Sequence, residues 1–165
     1  MKLHIFRHGI AIDRDDPAAP PEEDRFLTPK GIARTQAAAQ GLRSLGIKPD
    51  LILTSPLLRA KQTAEIACEA LGYPVKKLKQ TDALKSEAKP AELFDELSGL
   101  KAEEVMCVGH APNVDNVIAF AIGSRSPVTE LKKAGLATIE IESFSPPRGK
   151  IVGIYSSKAL RLLIK

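Results

Sequence analysis

Residues 3–12 read LHIFRHGIAI, a short apolar run that breaks off at Arg7, His8 and Gly9. The run has the length and composition of a buried strand, KLHIF, and its exit carries a cation and an imidazole. Burying either side chain is costly unless something pairs with it. The exit of this strand is therefore the first place to look for a ligand.

Working outward, strand and helix signals alternate. DRDDPAAPPEEDRF, rich in proline and acidic residues, reads as an exposed loop. Thr28-Pro29 opens a helix, with Thr28 as N-cap, and Gly46 stops it. DLILTS is a second strand, and Ser55-Pro56 opens a second helix with the same cap chemistry, ended by Gly72. Leu57, Ala60, Ala64, Ala67 and Leu71 give that helix one apolar stripe. YPVKKLKQTDAL predicts a short edge strand and a loop, PAELFDELSG a third helix, EEVMCVGH a buried strand, and APNVDNVIAFAIG a fourth helix. The tail, with GLATIEIES and GKIVGIYSS around FSPPRGK, predicts a hairpin. The order is that of an α/β fold, a three-layer α/β/α sandwich on a mostly parallel central sheet, with residues 1–165 as one domain. In such sheets ligands bind beyond the carboxyl ends of the strands.

Composition narrows the function. Twenty-four basic against twenty acidic residues leave a net charge of +4, and aromatic residues make up 4%. That balance lacks the basic stripe and stacking side chains of a nucleic-acid binder, and fits a modest preference for anionic ligands. No run is long enough to span a membrane and MKLHIFRHG lacks the layout of a signal peptide, so a cytoplasmic protein with no membrane partner is expected. Cys68 and Cys107 form no metal-like pair and read as buried small hydrophobes; with only His4, His8 and His110 as imidazoles, no metal or other cofactor is expected.

Three strand exits carry the chemistry. The first leaves into Arg7-His8-Gly9, the second into TSPLLRAKQTA with Arg59, and the VMCV strand into Gly109-His110. Arg59, near a helix N-terminus, is a cation at the wrong end of the macrodipole and off the apolar stripe. A bound anion there would reverse the penalty. Arg7 disfavours an imidazolium at His8, tending to leave a neutral, nucleophilic ring. A phosphoryl group between the two arginines answers both problems. His4, by contrast, reads as a packed strand histidine, and Asn113 and Asp115 as capping or surface residues.

FRHG, SPLLRAKQTA and VGHAP, in this order, resemble the histidine phosphatase superfamily, the phosphoglycerate mutase-like fold. The shortness of the chain, LTPKGIARTQAAAQGL and the absence of a cap domain resemble the SixA-like phosphohistidine phosphatase branch. The resemblance implies His8 as the nucleophile, Arg7 and Arg59 on the phosphoryl oxygens, and His110 donating to the same oxygens, all without a metal. Larger members protonate the leaving alcohol with an acid between the second arginine and the second histidine. Here that region reads TDALKSEAKPAEL, with Asp82 and Glu87 as the candidate acids, each better read as a solvated loop carboxylate. A missing acid favours an easy leaving group, and imidazole, with a pKa near ~6.5, is one. The expected partner is therefore a protein carrying phosphohistidine, met by a monomer. A small phosphate ester is the alternative substrate, and a silent phosphate-binding module the reading from a different class.

Overall fold

The computed structural model describes residues 1–164. Four strands carry the parallel part of the sheet: β1 (Lys2–Arg7), β2 (Leu51–Thr54), β3 (Lys79–Gln80) and β4 (Glu104–Gly109). β5 (Leu136–Phe144) and β6 (Pro147–Tyr155) form the expected hairpin, and the sheet order is β3-β2-β4-β1-β5-β6. β4 pairs in parallel with both β1 and β2, and β2 with β3, while β5 runs antiparallel to β1 and β6. The parallel strands thus deliver their carboxyl ends to a single edge.

The helices are α1 (Pro29–Ser44), α2 (Leu58–Leu71), α3 (Pro90–Ser98), α4 (Asn113–Ala121) and α5 (Ser157–Leu162). Successive strand side chains point to opposite faces, so each buried strand feeds two cores. Leu3, Ile5, Val105 and Cys107 pack with α3 and α4, against Leu93, Leu97, Val117 and Ile118. Phe6, Met106 and Val108 pack on the other face with α1, α2 and α5, against Leu42, Ala60, Ala64 and Leu160. The stripe read along α2 is real at Ala60, Ala64 and Ala67, which are fully buried. Both cysteines are buried and free.

Thr28 caps α1 as expected, its Oγ1 accepting from Gly31 N at 3.0 Å. The second helix departs from the reading. It starts at Leu58 with Leu57 as N-cap and no side-chain cap bond; Ser55 lies two residues before that cap, where its Oγ accepts from Leu57 N at 3.3 Å and also meets His110. In the edge segment only Lys79–Gln80 pairs, after a 3-10 turn at Val75–Lys77. Helix α5 follows β6 directly, capped by Ser156, and has no counterpart in the sequence reading. No helix among the described residues is long and apolar enough to cross a membrane.

Candidate active site

β1 ends at Arg7, and the chain then passes His8 and Gly9 between α1 and α2. Gly9 N donates to Thr63 Oγ1 at 3.0 Å, and a Cβ at Gly9 would overlap Thr35 Oγ1. The glycine is therefore a close-approach position that lets β1 run directly under both helices. At the same edge, the chain after β2 presents Ser55 and Arg59, and β4 presents His110. Arg7, His8, Arg59 and His110 all line one open cleft of about 410 Å³.

The imidazoles are buried and face each other, ring centroids 4.9 Å apart at 53°. His8 Nδ1 lies 2.7 Å from Gly9 O. A carbonyl only accepts, so Nδ1 carries the proton and, in the neutral ring, Nε2 keeps its lone pair. Neutrality follows from the surroundings: burial first, then His110, Arg59 and Arg7, push the His8 pKa well below its ordinary value. His110 Nε2 is 2.8 Å from Ser55 Oγ, and its Nδ1 is buried without a partner. Burial, then Arg59, lowers the His110 pKa to about 3.

The two arginines are held differently. Arg7 Nη1 donates to Leu131 O at 2.7 Å. Leu131 N in turn donates to Asp115 Oδ1 at 2.8 Å, and Thr129 Oγ1 to the same oxygen at 2.7 Å. Asp115, expected to be a capping or surface residue, is buried and fixes the backbone that orients Arg7. Asn113 is buried too; its Nδ2 donates to Ala83 O and Lys85 O, tying the start of α4 to the segment after β3.

Arg59 is only 4% exposed at the second position of α2. Its Nη1 donates to Glu22 O and its Nη2 to Glu22 Oε1, both at 2.9 Å. The anion that the helix start calls for is thus supplied within the chain, from the acidic loop. Arg25 grips the same carboxylate through Nε at 2.8 Å and Nη2 at 2.9 Å. Its hydrogen bonds, followed by the charges of Arg59 and Arg25, hold the Glu22 pKa below the usual carboxylate value despite some burial. Glu22, Arg25, Ser55 and Asp115 join the site only through the fold and are not among the residues that the sequence points to. Of these only Ser55 carries a usable sequence signal, a hydroxyl at a strand exit, which before a proline reads equally as a helix cap.

Asp82 lies away from the cleft lining, whereas Glu87 directly follows Ser86, which lines it, and its charge bears on His110. Asp82 is exposed and pairs with Lys85 Nζ at 3.0 Å. Glu87 accepts from Ser86 Oγ at 2.8 Å, and that bond leads the causes that lower its pKa, the wrong direction for a proton donor at neutral pH. His4 is a packed strand residue, between Thr138 Oγ1 at 2.9 Å and Glu104 Oε1 at 3.1 Å. Among the described residues no three His, Cys, Asp or Glu side chains gather to hold a metal ion. Arg7, Arg14, Arg25, Arg59 and Lys133 line the cleft against two carboxylates, Asp13 and Glu22, so the seat favours an anion.

Comparison with known proteins fits this geometry. Residues 3–85 match the family model of the histidine phosphatase superfamily, branch 1. An uncharacterised protein of Picosynechococcus is 41% identical over 143 residues, 82% of each chain. A 2,3-bisphosphoglycerate-dependent phosphoglycerate mutase of Methylobacterium is 36% identical over 81 residues, 49% of this chain and 36% of the mutase. Among solved structures, the protein histidine phosphatase SixA complexed with tungstate superposes with a TM-score of 0.85 over 97% of this chain and 99% of its own, at 24% identity.

Proposed function

The chain belongs to the histidine phosphatase superfamily, and on that premise we propose that it is a metal-independent phosphatase that dephosphorylates phosphohistidine on a protein. One observation carries the reading: His8 holds its Nδ1 proton on Gly9 O and so keeps a neutral ring with Nε2 as the nucleophilic nitrogen, in a cleft shared with Arg7, Arg59 and His110. Nε2 attacks phosphorus, and the bond from phosphorus to the departing imidazole breaks, the leaving nitrogen taking a proton from water or arriving protonated. Arg7 and Arg59 hold the phosphoryl oxygens. Ser55 at His110 Nε2 leaves Nδ1 as the nitrogen for the same oxygens. Water then attacks phospho-His8, releasing inorganic phosphate and regenerating the neutral ring.

Support for the phosphohistidine substrate comes from two sides. Asp82 is tied to Lys85, and Glu87, beside the cleft-lining Ser86, has its pKa lowered rather than raised, so a substrate that leaves without a dedicated acid suits the site best. The neighbour that superposes at 0.85 is a protein histidine phosphatase.

The test is a quench experiment and a substrate panel. Wild type stopped in mid-turnover should carry an acid-labile, alkali-stable phosphate, and His8→Ala should lose both the label and at least about a thousandfold in kcat. A phosphohistidine protein should be turned over faster than alkyl phosphate esters by orders of magnitude. Equal or faster turnover of alkyl esters would move the assignment to small phosphate esters. Full activity of His8→Ala would end the reading.

A further inference from the structure

Beside the catalytic cleft lies a second concavity of about 460 Å³, and the two share Arg7 and Lys133. Its cations come from separate elements: Arg34 from α1, Lys132 and Lys133 from the turn before β5, and Lys158 and Arg161 from α5. With Arg7 that makes six positive side chains and no carboxylate in the lining. Lys132 reaches Glu130 at 2.7 Å, but among the described residues Arg34, Lys133 and Lys158 enter no ion pair. The floor holds Thr35, fully buried, whose Oγ1 has no hydrogen-bond partner. Six cations around one hollow exceed the chain's whole net charge of +4, so positive charge is gathered unevenly, beside His8.

We infer that this hollow docks an acidic segment of the protein that carries the phosphohistidine, an inference that rests on the substrate reading above. An acidic polypeptide fits better than a second phosphate. A site for one phosphate fixes its donors, as Arg59 is fixed by two hydrogen bonds in a buried position. Here Arg34, Lys132, Lys133 and Lys158 are exposed long side chains spread around an open rim. Such an array attracts several carboxylates at adjustable spacing and steers their approach. Continuity through Arg7 and Lys133 lets the docked segment lead its phosphoryl group directly to His8.

Two synthetic peptides of equal length, each with one chemically phosphorylated histidine, test this. In one the flanks carry six glutamates; in the other these are glutamines. At low ionic strength wild type should prefer the glutamate peptide by about tenfold in kcat/KM, chiefly through KM. The preference should collapse at roughly 0.5 M salt, where the Debye length shrinks to a few ångströms. Arg34→Glu/Lys132→Glu/Lys158→Glu should abolish it while turning over para-nitrophenyl phosphate as wild type does, which also reports intact folding. Equal use of both peptides by wild type, or a preference that survives in the triple variant, overturns the inference and leaves the phosphohistidine assignment standing. Hydrolysis of the aryl ester with neither peptide touched overturns the substrate reading, and the docking inference with it. A triple variant impaired only toward a small bisphosphate would give the hollow to a second phosphate instead.

Discussion

At the scale of single residues, the cleft depends on side chains that never need to touch phosphorus. Arg7 points where it does because Leu131 O takes its Nη1, and Leu131 sits where it does because Asp115 Oδ1 receives its N–H. Removing that carboxylate leaves a buried N–H without an acceptor, at a cost of about 1–3 kcal/mol. The loss should not stop at stability. In Asp115→Ala the Leu131 carbonyl is free to shift, and Arg7 loses its anchor. We expect KM for the phosphoryl substrate to rise about tenfold, the equivalent of ~1.4 kcal/mol, with a smaller fall in kcat. Asp115→Asn, which keeps an oxygen at the same place, should recover most of the KM. Steady-state kinetics on the three proteins decide it: an unchanged KM in Asp115→Ala would show that Arg7 needs no such support.

At the scale of elements, the acidic loop is a strap. Its 3-10 turn Glu22–Asp24 lays one carboxylate across Arg59 and Arg25. A phosphoryl group bound to Arg59 competes with that carboxylate for the same guanidinium. Glu22 is half exposed, so its pairing is worth about 1 kcal/mol or less. Glu22→Gln should therefore tighten inorganic phosphate by up to about fivefold, measured by calorimetry. Weaker binding in that variant would instead make Glu22 a support for Arg59 rather than its competitor. This strap shows what the sequence could and could not reveal. The strand exits were legible, because an apolar run that stops on Arg7-His8 or Gly109-His110 leaves a local mark. The pairing of Glu22 with Arg59 leaves none: the residues lie 37 positions apart and meet only through the fold. Ser55 is ambiguous in the sequence because a hydroxyl before a proline signals a helix cap and a site residue alike. Asp115 gives no sequence sign of its buried role, because a carboxylate in the first turn of a helix is ordinarily a solvated one. Helix α5 escaped because Ser156 follows β6 without a break and the apolar run behind it is short.

At the scale of the whole molecule, the three histidines make stability depend on pH in one direction. Burial is the leading cause that lowers the pKa of His4, His8 and His110. In the unfolded chain each should titrate near ~6.5. Between that value and each lowered one, the unfolded chain binds protons that the folded chain refuses, so stability falls as pH falls through the window. The loss is complete once pH passes below the folded pKa. For His110, lowered to about 3, going from pH ~6.5 to ~5 removes about 2 kcal/mol. The carboxylates act in a separate, more acidic window. Glu22 and Glu87 have pKa values below the ordinary one, so what they contribute is present above it and lost only as pH falls through the lowered values. Thermal unfolding from pH 7.5 to pH 5 should thus show Tm falling by roughly 5 °C or more. His110→Gln should flatten that slope, because its amide cannot take up the proton. His4→Gln should flatten it as well, and His4 packs on Thr138 and Glu104 in mid-strand, outside the cleft lining, so the variant's catalytic rate should stay near wild type. A wild-type Tm that holds constant across this range would mean that the buried imidazoles accept protons as readily folded as unfolded. The neutral ring assigned to His8 would then lose its physical basis, and with it the nucleophile.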